Sequence, residues 1–186
     1  AQGKLLTIWT WDTPRLTTWL QSELERSTGL ICCEYGFSHE VLTLRQPRVL
    51  KLTTIRDPKS RLISNFLYDV RRGVTDARDI LSYVNSGGIH RCADFYTQIV
   101  TRRSGAQARA EAIAAITAYD YVHVLGAPES WTRLQEMLTI GDAGKLREAR
   151  ANATNYSDSV LAAPRQSVVD ADAALDALCE GEMQLF

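Results

Sequence analysis

Apolar positions along the chain follow two alternating rhythms. Short runs dense in Leu, Ile, Val and aromatic residues read as strands. Longer stretches with an apolar side chain every three or four residues read as amphipathic helices. Lys4 to Trp11 predicts a first strand. Leu16, Trp19, Leu20 and Leu24 predict a helix from about Arg15 to Ser27, ended near Gly29. Leu30 to Gly36 predicts a second strand, and Gln46-Pro47 links it to a third, a buried strand in the apolar, β-branched run Val49 to Ile55. Asp57 then predicts a helix cap, with Pro58 in the first helical position, where its missing N–H costs nothing. Beyond it Leu62, Ile63, Phe66, Leu67 and Val70 form one apolar face, with Ser60, Arg61, Ser64 and Tyr68 on the more polar side.

The second half continues in the same way. Arg71-Arg72-Gly73 stops the helix, and Thr75 predicts a cap for a short helix from Asp76 to Val84. Asn85-Ser86-Gly87-Gly88 is a loop, followed by the Cys92–Val100 segment and a helix at Ala106–Ala118. Tyr119 to Gly126 predicts a late strand, with His123 set between apolar neighbours as a core histidine. Glu129 to Leu138 predicts a helix carrying Trp131, Leu134 and Leu138, broken by Gly141-Asp142-Ala143-Gly144. Residues 145–164 are polar and loop-like, and a last helix runs from about Pro164 to Gln184. Strands alternating with helices predict an α/β fold, a three-layer domain with a mostly parallel central sheet. No repeat, low-complexity tract or linker interrupts residues 1–186, so the expectation is a single domain.

Composition narrows the function classes. The chain has 186 residues, 45% hydrophobic and 23% charged, which suits one globular core. A net charge of −1 argues against a general nucleic-acid or anionic-membrane binder, so an anion site must be a local cluster of cations. No apolar run reaches membrane-span length. Residues 1–20 carry no signal-peptide pattern, although the chain begins at Ala1 rather than at Met. The four cysteines, at 32, 33, 92 and 179, lack Cys-x-x-Cys spacing. They read as buried, reduced thiols, with no zinc or other metal site and a cytoplasmic location. Asn152-Ala153-Thr154 and Asn155-Tyr156-Ser157 are formal glycosylation sequons, which matter only in a secreted chain.

The candidate chemistry centres on Val49 to Tyr68. A strand ending in Arg56, followed at once by a helix, puts a cation at a carboxyl edge beside helix N-terminal amides. Ligands of open α/β sheets bind at such edges, and this pairing suits a phosphate. Arg56-Asp57-Pro58-x-x-Arg61-x-x-Ser64 resembles the 3′-phosphate-binding signature of sulfotransferases that use 3′-phosphoadenosine 5′-phosphosulfate (PAPS). The carbohydrate type, with heparan sulfate and uronosyl 2-O-sulfotransferases, is the nearest flavour. That resemblance implies a P-loop-like sulfotransferase fold. It also implies PAPS as co-substrate, no metal, and a carbohydrate or small-molecule hydroxyl as acceptor. Arg56 and Ser64 would hold the 3′-phosphate.

Other segments extend the resemblance. Asp12 to Leu20 lies where the family has its 5′-phosphosulfate loop, and Thr17-Thr18-Trp19-Leu20 matches the end of that pattern. The Lys and Gly that precede it in the family are absent. The resemblance then leaves Arg15, Thr17 and Thr18 for the phosphosulfate, with Arg15 the only cation in the loop. His39, in Gly36-Phe37-Ser38-His39-Glu40, resembles the family's general base, and an imidazole of ordinary pKa suits that work. Glu40 is the alternative base or the group orienting His39. Two rivals stay open: a degenerate member that binds a nucleotide or partner without catalysis, and an enzyme using another donor on the same scaffold.

Overall fold

The computed structural model describes residues 4–8, 22, 29–33, 50–138 and 159–185. Among the described residues four strands form two parallel pairs. Strand β1 (Lys4–Ile8) pairs with β2 (Gly29–Cys33), Lys4 opposite Gly29. Strand β3 (Leu52–Arg56) pairs with β4 (Tyr121–Leu125), Leu52 opposite Tyr121 and Arg56 opposite Leu125. The other described residues are mostly helical, so the chain is a mixed α/β protein. Among the described residues no helix is long and apolar enough to cross a membrane.

Helix α1 (Pro58–Arg72) is the element on which the larger core is built, and local chemistry fixes both its ends. Asp57 accepts from the Ser60 N–H at 2.7 Å, and Pro58 stands at the first position. At the far end Gly73 adopts φ +63°, and the Val74 amide returns to the Asp69 carbonyl at 2.8 Å. That left-handed turn favours a glycine. Leu62 and Phe66 are fully buried. They pack with Ile80 and Tyr83 of α2 (Ile80–Asn85) and with Leu161, Ala171, Leu175 and Cys179 near the C-terminus. Replacing Asp57 with Ala should lower unfolding free energy by about 1 kcal/mol, the usual worth of an N-cap. Unchanged urea midpoints would remove the capping role.

Three expectations need correction. Of the Val49–Ile55 run, the described part from Leu50 onward buries only Ile55; Leu50 and Thr54 are exposed. One face of the β3–β4 pair is covered, where Ile55 meets Tyr96 of α3 (Phe95–Thr101) and Ile116 of α4 (Ala106–Thr117), with Val122 and Val124 alongside. On the opposite face α5 (Pro128–Leu138) stands over β4 and leaves Thr54 uncovered. The short helix begins at Ile80 rather than Asp76, because Asp79 caps it through the Ser82 amide at 2.8 Å. Thr75 instead accepts from Ala77 in the preceding turn. The last helix is broken at Ala171 into α6 (Ala162–Asp170) and α7 (Asp172–Cys179), then a short 3₁₀ turn, Glu182–Leu185. The break lets both pieces pack against α1.

Candidate functional site

Arg56 ends β3 at the carboxyl edge of the parallel pair. Beside it β4 turns into α5 through Gly126, whose φ of +100° favours a residue without Cβ. Its backbone is held from the side. The Arg56 amide donates to the Tyr96 hydroxyl at 2.7 Å, and that hydroxyl donates back to the Arg56 carbonyl at 3.1 Å. One phenol thus satisfies both main-chain groups of the strand tip, as a neighbouring strand would. Among the described residues no hydrogen bond or ion pair engages the Arg56 guanidinium or the Ser64 hydroxyl.

Ser64 is the seventh residue of α1, half-buried. Seven residues make nearly two turns, so Ser64 stands above the Asp57 cap, roughly 9 Å along the axis from Pro58. It shares its side of the helix with Ser60 and Tyr68, the latter 47% exposed.

Neighbouring polar residues are otherwise engaged. Asp57 itself occupies the Ser60 amide, so the α1 terminus offers fewer free N–H groups to an anion than a strand-to-helix turn suggests. Lys59 is drawn to Asp172 at 2.8 Å and Asp176 at 2.6 Å, tying α1 to α7 and raising its pKa through those hydrogen bonds. Arg61 departs most from expectation. The spacing sets it on the polar side, yet it is 7% exposed. Its guanidinium donates to the His90 carbonyl at 3.1 Å and to the Cys92 carbonyl, and lies 4.3 Å from the Phe95 ring centre. The fork and flat face of an arginine suit this pocket. Asn65, one turn on, donates to the same His90 carbonyl at 3.1 Å. A turn further, Asp69 accepts from the Tyr83 hydroxyl at 2.9 Å. Arg61, Asn65 and Asp69 therefore form a polar stripe along α1, in contact with residues 83–92.

Helix α3 (Phe95–Thr101) carries Tyr96 and begins in an unusual way. Its own flanking residue, Asp94, binds the Gln98 side chain and caps nothing. The cap comes from Glu182, fully buried, whose carboxylate accepts from the Tyr96 and Thr97 amides and from the Thr97 hydroxyl at 2.7 Å. Burial pushes the Glu182 pKa above its ordinary value, and the three hydrogen bonds pull it back only in part. No sequence signal marks this pairing, because its partners stand 85 residues apart.

The other reactive groups sort by burial. His90 is exposed, its ring 5.7 Å from Phe95; desolvation and then Arg61 lower its pKa, favouring neutral imidazole. His123 is 4% exposed, with Ser130 Oγ 2.9 Å from Nδ1 and Trp131 packed 4.4 Å away. Its pKa is lowered by desolvation, the state of a core histidine. Cys92 and Cys179 are free thiols that burial pushes up to about 12 and about 11, so neither is a thiolate nucleophile at neutral pH. An open depression lined by Asp120, Tyr121, Arg133, Glu136 and Met137 lies at the amino end of β4, the wrong end for Arg56. Among the described residues no group of His, Cys, Asp or Glu is arranged to hold a metal.

Of the residues singled out from the sequence, Arg56 and Ser64 lie on adjoining elements, β3 and α1. Arg15, Thr17, Thr18, His39 and Glu40 lie outside the described residues. Comparison with known proteins gives no match: no family model, no curated protein and no solved structure is similar to the chain.

Proposed function

We propose that the chain is a PAPS-dependent sulfotransferase, a P-loop-like three-layer domain acting in the cytoplasm on a hydroxyl of a carbohydrate or small molecule. The supporting observation is the division of labour within Arg56-Asp57-Pro58-x-x-Arg61-x-x-Ser64. Asp57 and Arg61 are engaged in holding the fold, while no described residue engages the Arg56 guanidinium or the Ser64 hydroxyl. Those two groups are the ones the resemblance assigns to the 3′-phosphate. In this reading the acceptor oxygen attacks sulfur as the bond from sulfur to the phosphate oxygen breaks. His39 takes the acceptor proton, and Glu40 is the alternative base or the group orienting His39. Arg15, Thr17 and Thr18 face the phosphosulfate, and catalysis rests on positioning and charge without a metal.

Calorimetric titration with adenosine 3′,5′-bisphosphate (PAP) and with adenosine 5′-phosphate (AMP) tests the site. PAP should bind more tightly, and Arg56→Ala should remove about 1.5–3 kcal/mol of that difference, the worth of a charge-assisted contact. Equal affinity for the two nucleotides in the unaltered protein would sink the assignment.

One sequence observation favours a second reading, a nucleotide-binding protein without catalysis: the loop Asp12 to Leu20 lacks the family's Lys and Gly. A cation at the bridging oxygen stabilises the transition state more than the ground state, so its loss affects rate before binding. PAP release from PAPS across a panel of sugars, phenols and amines separates the two readings.

A further inference from the structure

We infer that Tyr96, set in place by the C-terminal Glu182, is the positioning residue that aims Arg56 at the phosphate, an inference that rests on the 3′-phosphate reading above. The last residue of a strand is the one whose main chain is least constrained by the ladder, and Arg56 is the last residue of β3. A guanidinium on a loose tip would hold a phosphate poorly, because its long side chain and its backbone would both have to be ordered on binding. Tyr96 removes the backbone part of that cost by closing two hydrogen bonds on Arg56, 40 residues away in sequence. Tyr96 is itself fixed at three points. Its ring is buried against Ile55 and Ile116, it meets Phe95 edge-on at 5.2 Å, and its amide is held by Glu182. The chain of contacts runs from Glu182 through the first turn of α3 to the strand tip. A carboxylate 86 residues beyond Tyr96 in the chain thereby sets the backbone under the candidate phosphate ligand. Neither Tyr96 nor Glu182 needs to touch the nucleotide.

The test compares PAP and AMP binding to the full chain, the parent and Tyr96→Phe, with thermal unfolding of both proteins in parallel. Phenylalanine keeps the packed ring and deletes the two hydrogen bonds. The preference for PAP over AMP should fall at least about fivefold in Tyr96→Phe while AMP affinity changes by less than about twofold, the pattern of a role confined to the 3′-phosphate. Glu182→Gln retains a carbonyl that accepts from the Tyr96 amide and should keep the PAP preference, whereas Glu182→Ala should lose it. A parent that does not distinguish PAP from AMP overturns the 3′-phosphate reading and this inference with it. If the parent does distinguish them and Tyr96→Phe keeps its preference within twofold, the positioning role alone is overturned. Equal weakening of both nucleotides overturns it as well, since that marks general loosening of the fold.

Discussion

Replacing Arg61 with Ala should lower the free energy of unfolding by about 2–4 kcal/mol, with no specific effect on nucleotide preference. The guanidinium makes charge-assisted hydrogen bonds to the His90 and Cys92 carbonyls and stacks on Phe95. Such bonds are worth about 1.5–3 kcal/mol each and such a stack about 0.5–2. Burial offsets part of this, because desolvation disfavours the charged form and lowers the Arg61 pKa. The His90 carbonyl keeps Asn65 as a donor, whereas the Cys92 carbonyl loses Arg61 without a described replacement. Arg61→Lys should rescue little, since an ammonium neither forks to two carbonyls nor stacks as a plane. Urea unfolding of both variants, followed by helical circular dichroism, measures the loss. A stability change under about 0.5 kcal/mol together with weakened PAP binding would make Arg61 a ligand group and overturn its structural assignment.

Arg61 also marks where the sequence stops being informative. The Asp57 cap, the Pro58 start, the Gly73 stop and the Leu62–Phe66 face were all legible because each signal lies within about four residues of its partner. The same holds for β4, which leads into α5. Periodicity set Arg61 among the polar residues of α1 because a helical wheel assumes one buried face. The helix is in fact contacted on a second side by residues 83–92, and the hydrogen-bond acceptors there are main-chain carbonyls, which no residue type advertises. Thr75 and Asp79 show the limit of local rules from the other side. Either can cap a helix, and the choice falls on Asp79, next to Ile80, which is fully buried in the core against α1. The candidate site divides in the same manner. Its proposed phosphate ligands, Arg56 and Ser64, came from a local motif. Tyr96, which holds the Arg56 backbone, and Glu182, which caps the helix of Tyr96, lie 40 residues or more away and carry no local signature.

Glu182→Ala should cost about 3–5 kcal/mol at neutral pH, and the milder Glu182→Gln should reveal the sign of its ionisation. Truncation leaves the Tyr96 amide, the Thr97 amide and the Thr97 hydroxyl without their acceptor in a buried place. An unmade buried hydrogen bond costs about 1–3 kcal/mol, and water entering the space left by the side chain keeps the total below the full sum. The carboxylate is nevertheless not at ease. Desolvation is the largest influence on Glu182 and raises its pKa above 4.5, Asp94 pushes the same way, and the three hydrogen bonds oppose. A folded pKa above the unfolded one means that the folded state binds the proton more tightly. The stability this contributes is complete below about pH 4.5 and is lost as pH rises through the folded value. The glutamine variant has no such proton to lose. The stability of the parent minus that of Glu182→Gln should therefore fall as pH rises from about 4.5 through the folded pKa, then level off above it. Paired urea curves across that range read the slope directly. A difference that rises with pH would mean that the three hydrogen bonds outweigh burial and hold the carboxylate ionised. Glu182 would then be an ordinary charged cap for α3, stabilising most at neutral pH.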